Sequence, residues 1–379
     1  MPALFPDGLP AVLPATVAQI QRRLPTPGDI KVRMGMRVEP DDIVGQCTLT
    51  SPPILLDVAG ALGIEPSEMP NRLRPAVGSH VAFRDVLARR GRRTVLAPFG
   101  GIVTEVDMLT GFVILTPDPH PMSVSAAIAG YVATVENQQT VTIETAAALV
   151  QGLVGCGPEQ WGLLRLLVTD PTEIITPDLI DARSAFTLII GGAGITAAAL
   201  RKAQAEQVRG VIVGSILPTE LRQYLGPKWH GDWQRALTDG SLTLPSPDAP
   251  TLLVTEGFGT VPMSRPIFDL LTRFDRQEAL LQGQTRLTPP VQRPRLVVPI
   301  PRLPGGEAPP LPSAALQVGT VVRLQDDAHN GSIGRVVAVH ARERLPSGVR
   351  TATATVQIAP NEQIMLPQSV LHVLDQGGA

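Results

Sequence analysis

Proline is the feature that most constrains this chain: 38 of its 379 residues are proline, about twice the ordinary share of about 5%. Each proline locks φ and deletes a backbone donor, so a chain this rich in proline is expected to be broken into short elements. No apolar run reaches the roughly 18 residues a membrane-spanning helix needs. The first residues, 1–24, are interrupted by proline and lack a charged stretch before an apolar core, so they do not read as a signal peptide. A chain of this length is expected to hold two or three domains, each able to bury its own core.

The bulk numbers narrow the function classes. The composition is 44% apolar and 17% charged, which is globular. Aromatics make up only 3%, against the stacking platforms of single-strand nucleic-acid binders. A net charge of −2 supplies no global field for nucleic acid or anionic membranes. Two cysteines, Cys47 and Cys156, exclude a disulfide framework and a cysteine-based metal site, and point to a reducing, cytoplasmic setting.

The punctuation divides the chain into a proline-rich segment (1–24), a β domain (25–147), a small α/β domain (148–300), a proline/glycine linker (301–314) and a C-terminal barrel (315–379). The fold class expected is therefore multidomain, α/β plus all-β. In the first block, Gly35 before Val38 and Gly78 before Val81 repeat one hairpin phrase. Residues 54–64 read as one helix, with Leu55, Leu56, Val58, Ala59 and Leu62 on its buried face. Short strands follow over 94–106, 111–115, 130–135 and 140–143. In the second block, 186–190 is a strand, 191–194 a turn, 196–207 a helix and 208–216 the next strand, a right-handed βαβ unit. A helix from Pro218, a third parallel strand over 251–255, a helix over 266–274 and a last strand over 296–300 complete it.

Two stretches carry family resemblances. Val318-Gly319, then Asn330-Gly331 with Gly334 and Val336, then strands over 353–358 and 363–367, resemble a KOW-type SH3-like barrel over about 316–374. That resemblance implies a turn at Gly331, Gly334 and Val336, and contact with RNA or protein partners. Asn330 stands where KOW modules carry a basic residue before the first glycine, Asp326 and Asp327 precede it, and from Leu316 on five arginines face five Asp and Glu, so the block is neutral and lacks the phosphate contacts that dominate nucleic-acid affinity. In the first block, Val77-Gly78, Val81, Leu87-Ala88, Ala97-Pro98, Gly100-Gly101 and Val103 resemble the barrel-sandwich hybrid of lipoyl and biotinyl carriers, a fold found also at the N-terminus of one component of the Rnf electron-transport complex. Carriers take their cofactor on a hairpin lysine. Here the hairpin reads Arg89-Arg90-Gly91-Arg92-Arg93, so no carrier cofactor is expected.

The candidate sites are few. Gly191, Gly192 and Gly194, ahead of a helix opened by Thr196, offer backbone donors to an anion at a helix N-terminus. Glu256 and Gly257 end a strand on the edge where α/β sheets bind ligands. Arg84, Arg89, Arg90, Arg92 and Arg93 form the densest basic cluster, a contact patch for an anion, RNA or acidic partner. Cys156 would need a histidine base to act as a nucleophile, and the six histidines sit in no motif. No metal site is predicted. The reading is a noncatalytic binding or scaffold protein with a protein partner. A nucleic-acid-associated factor acting through the KOW barrel and the arginine hairpin is one alternative. A ligand-binding or redox-complex component resembling that of the Rnf complex, without iron–sulfur motifs, is the other.

Overall fold

The structure is a computed structural model that describes residues 11–227, 233–288, 292–301, 316–326, 328–329, 331–345 and 348–375. The first ten residues, nearly all of the 301–314 linker, Asp327 and Asn330 lie outside that set. The chain is mostly β, arranged in several sheets with six helices among the described residues, in keeping with α/β and all-β parts.

An 11-stranded sheet organises the molecule. Four of its strands run parallel: Glu159–Leu166, Thr187–Ile190, Gly210–Ile216 and Thr251–Phe258. The last three are the parallel strands the sequence predicts. The first was not expected, because its mixed burial gives no clean period. Helix Ala197–Ala205 lies between the second and third of these strands and buries Ala197, Ala199, Leu200 and Ala203. Helix Arg265–Arg273 buries Ile267, Phe268, Leu270 and Leu271, an i, i+3, i+4 stripe facing the sheet.

The sheet does not stop at the expected boundary between 147 and 148. Strand Thr140–Gln151 crosses it: residues 140–144 pair with Gly130–Glu136, and residues 147–151 pair with Arg295–Pro299. Strand Val12–Arg23 runs along the same strand through most of its length. Hydrogen bonding therefore continues the α/β sheet into the β part, and Leu280 and Val297 share one core with Val38 and Val132.

Residues 25–147 pack around two cores where the sequence suggests one. Val32, Val38, Val44, Ile128, Val132 and Ile143 belong to the first. Val58, Leu62, Met69, Leu87, Val103 and Leu115 belong to the second. The second core is an insert: strands Ile43–Leu49 and His120–Ser125 pair antiparallel, with Leu49 opposite His120, and everything between them forms a separate unit. The helix expected over 54–64 is half strand. Ile54–Asp57 pairs with residues 112–115, and the helix is only Val58–Leu62. Asp57 sets the break, because its carboxylate accepts from the Gly60 amide at 2.8 Å and caps the helix. Leu55, expected on the buried face, is 62% exposed.

The C-terminal unit is a five-stranded antiparallel sheet in the order Glu362–Pro367, Arg350–Ala359, Ile333–Arg344, Val321–Leu324, Leu371–Asp375. It wraps a core of Val322, Leu324, Val336, Ala354, Val356 and Val373. Leu374 belongs instead to the core of the large sheet, and the Ala11 amide donates to the Val373 carbonyl at 2.8 Å. The unit is thus packed onto the large sheet.

Candidate functional site

The C-terminal ends of the parallel strands are where an α/β sheet holds a ligand. Both predicted loops are there, and they meet. Ser215 Oγ lies 2.6 Å from the Ala193 carbonyl oxygen and 3.0 Å from that of Gly259, so one hydroxyl bridges the two glycine loops.

The crevice is filled by the protein itself. The Gly191 amide donates to Ile212 O at 2.9 Å and the Ala193 amide to Glu173 O at 2.7 Å. Gly194-Ile195 pairs with Ile174-Ile175 as a parallel bridge. A Cβ on Gly192 would stand 2.6 Å from Glu173 O and 2.7 Å from Asp170 O, so this glycine is required by a covering segment, residues 170–175. That segment is fixed by Glu173, whose Oε1 accepts from the Thr169 hydroxyl at 2.9 Å and the Asp170 amide at 2.8 Å. These bonds, the Thr169 hydroxyl foremost, hold its carboxyl below the usual carboxylate range.

The helix N-terminus behind the loop is also taken. Thr196 Oγ1 accepts from the Ala199 amide at 3.1 Å, and Glu220 Oε2, from helix Pro218–Leu225, accepts from the Ala197 amide at 2.6 Å. An internal carboxylate thus meets the positive end of the helix dipole.

Glu256 is buried. Its Oε1 accepts from Thr255 Oγ1 and from the Ser264 amide, each at 2.9 Å. Its Oε2 pairs with Arg323 Nη2 of the C-terminal unit, and the two side chains are 0% and 1% exposed. The contact is one of charge rather than an aligned hydrogen bond, and neither atom has a hydrogen-bond partner among the described residues. Arg323 Nη1 lies 3.4 Å from the Thr255 carbonyl oxygen and 3.4 Å from His372 Nδ1. Burial brings the Arg323 guanidinium down to about 9, which leaves it cationic at neutral pH. Burial, then the charges of Arg323 and Arg293, hold His372 well below its ordinary value, so it is a neutral acceptor.

The predicted KOW turn faces the same place. Gly331 has φ +86 and would, with a Cβ, stand 2.8 Å from Val261 Cγ1. Val261 belongs to the loop between Glu256 and Ser264. Gly334 has no room because Val356 Cγ1 would be 2.4 Å away, and Val336 is 1% exposed in the C-terminal core. Gly331 therefore faces Val261 of the α/β unit, while Ala328 and Ile333 of the same turn are exposed.

The basic cluster separates into roles. Strands Val86–Arg90 and Arg93–Leu96 form the expected hairpin. Arg90 Nη1 donates to the Gly63 carbonyl, and Arg93 Nη1 reaches Leu62 O at 3.4 Å. Both satisfy the end of helix Val58–Leu62. Arg89 Nε donates only locally, to Gly91 O at 3.1 Å, and Arg92 stands exposed in the turn. Arg84 lies at the other end of the hairpin, up to about 20 Å along the strand, stacked on Phe83 at 5.8 Å.

Cys156 lines a cleft of about 630 Å³ at the opposite edge of the sheet. Burial pushes its thiol up to about 12, so it is not a thiolate at neutral pH. Among the described residues no group of three His, Cys, Asp or Glu could hold a metal ion, and no helix is long and apolar enough to cross a membrane.

Sequence reasoning missed Arg323, His372, Ser215 and Glu220. Only Arg323 left a signal, a charge inside the apolar run Val321-Val322-Arg323-Leu324. Compared with known protein families and curated proteins, the chain matches no family model and no curated sequence.

Proposed function

We propose that the protein is a noncatalytic binding scaffold, cytoplasmic, with a protein partner, in which a KOW-type SH3-like barrel is fixed on an α/β unit and a barrel-sandwich-type insert projects from it. One observation carries this reading: the ligand edge of the sheet is sealed by Glu256 and Arg323, so the place that would bind a small molecule instead joins two parts of the chain. The approach of Gly331 to Val261 supports it, because one side of the turn then faces the α/β unit rather than a partner. The two cysteines, both free and buried, fit a reducing compartment.

The test is the purified full-length protein. Its spectrum and melting temperature are measured with a panel of nucleotides, dinucleotides and flavins, and native-host capture with cross-linking identifies stoichiometric proteins. No ligand should stabilise it. A ligand at a hundredfold excess over Kd would contribute about 2.7 kcal/mol, a readily visible shift. Such a shift, or a flavin spectrum, overturns the scaffold reading in favour of a ligand-binding or redox-complex component. Stoichiometric nucleic acid overturns it in favour of a nucleic-acid factor.

A further inference from the structure

Positive charge is segregated on the insert to an unusual degree. Residues 69–96 carry seven arginines against one aspartate, in a chain whose net charge is −2. The fold concentrates them further. Leu73 bridges Ala88, and the Arg74 amide donates to Leu87 O at 2.8 Å. The end of helix Met69–Arg72 therefore lies against the hairpin, with Arg72 across from Arg89 and Arg74 across from Leu87. Arg90 is directly opposite Arg93 across the hairpin, a like-charge pair that opposes strand pairing. Among the described residues compensation comes from Glu68, 3.8 Å from Arg72, from the helix carbonyls that take Arg90 and Arg93, and from the Gly91 carbonyl that takes Arg89. Among the described residues no carboxylate lies within ion-pair distance of Arg74, Arg89 or Arg92.

Apolar surface adjoins this charge. Val86 and Leu96 face each other across the same hairpin and are 39% and 43% exposed. Strand Arg93–Leu96 pairs with only one other strand among the described residues, so one of its edges has no strand partner there. Nucleic acid is the poorer fit. The single aromatic residue of this stretch, Phe83, lies at the far end of the hairpin under Arg84, so this stretch sets no ring beside Arg89 and Arg92 to stack a base.

We propose that the outer face of the 86–96 hairpin binds an acidic, partly apolar polypeptide segment in extended form. Arg74, Arg89 and Arg92 would meet its carboxylates, and Val86 with Leu96 its apolar side chains. The inference rests on the scaffold reading above and names its partner chemistry, but the test separates the two.

Fluorescence polarisation is measured with the full-length protein and three labelled probes: an alternating Val-Glu peptide, an alternating Val-Lys peptide and an oligouridine of matched length. The Val-Glu peptide should bind and the Val-Lys peptide should not. Salt should weaken the binding. Arg89→Glu with Arg92→Glu should weaken it by about tenfold or more, as reversal of two rim charges predicts. The melting temperature should not change, because both side chains are exposed and hold nothing but a local turn. Arg74→Glu, on the neighbouring segment, should weaken binding in the same direction. Equal binding of both peptides, oligouridine binding tighter than the Val-Glu peptide, or binding indifferent to the substitutions overturns the proposal. No binding of any probe also overturns it, while leaving the scaffold reading to the capture experiment.

Discussion

Arg323→Met tests the joint between the C-terminal unit and the α/β sheet. The substitution keeps most of the side-chain volume and removes the cation paired with Glu256. Glu256 then retains the Thr255 hydroxyl and the Ser264 amide on Oε1, while Oε2, at 0% side-chain exposure, loses its counter-charge. Stranding one member of a buried ion pair costs about 3–5 kcal/mol, because the remaining charge stays desolvated. Arg323→Met combined with Glu256→Gln removes both charges and leaves an amide oxygen for the Ser264 amide. The double variant should therefore recover at least half of the loss, a coupling of about 2 kcal/mol or more. Urea unfolding followed by far-UV circular dichroism gives the stabilities. Hydrogen exchange at Ala11, whose amide bonds to Val373 of the C-terminal unit, reports on docking itself and should accelerate in the single variant. A single-variant loss below about 1 kcal/mol, with Ala11 still protected, would show that this pair behaves as a surface pair and that the joint is held by something else.

Three further outcomes are expected. His372 is buried and neutral, with its folded pKa below the unfolded one, so the unfolded chain takes the proton first. Its contribution is present above the unfolded value of about 6.5 and falls by up to about 1.4 kcal/mol per pH unit below it. His372→Gln should lessen the drop in urea midpoint between about pH 7.5 and pH 5.5, and an identical drop in both proteins would remove His372 from the account. Gly192→Val places a branched side chain where even a Cβ meets two carbonyl oxygens within 2.7 Å. It should destabilise the protein by about 1–3 kcal/mol or more, whereas an unchanged melting temperature would mean that the 170–175 cover is absent in solution. Cys156 and Cys47 should resist a thiol reagent in the folded protein and react only on unfolding. Rapid labelling of Cys156 under native conditions would contradict its burial.

What the sequence made legible was local. Thr196 announced its helix by capping chemistry and Pro218 the next one by its place at the first turn, and both are where the residues put them. The glycine loops at 191–194 and 257–259 do meet, because neighbouring parallel strands put their C-terminal ends on one edge. The partners that decide what this edge does were not legible, since they come from far along the chain. Arg323 is 67 residues beyond Glu256, across the proline linker, and no periodicity in either segment encodes the pairing. The insert was hidden for the same reason: Leu49 and His120 pair across a whole folded unit, so a reading in chain order merged two cores into one. The helix over 54–64 failed on a different ground. Its apolar spacing fits a helix, but Asp57 satisfies the Gly60 amide and starts the helix there, and residues 54–57 gain strand pairing with residues 112–115.

The two attachments have different physical characters, and this bears on where a partner would act. The C-terminal unit is joined through the large core by Leu374 and through a desolvated ion pair, so displacing it means exposing apolar surface and separating buried charges together. The insert's core is drawn wholly from its own residues, between Leu56 and Leu115, and shares no buried residue with the sheet from which it springs. Its covalent connection is the pair of chain crossings at Leu49 and His120. A ligand held on the arginine hairpin therefore leaves the central sheet and the sealed Glu256 crevice undisturbed. The same separation lets the hairpin keep like charges opposed, because the cost falls on a small unit whose core is complete without them.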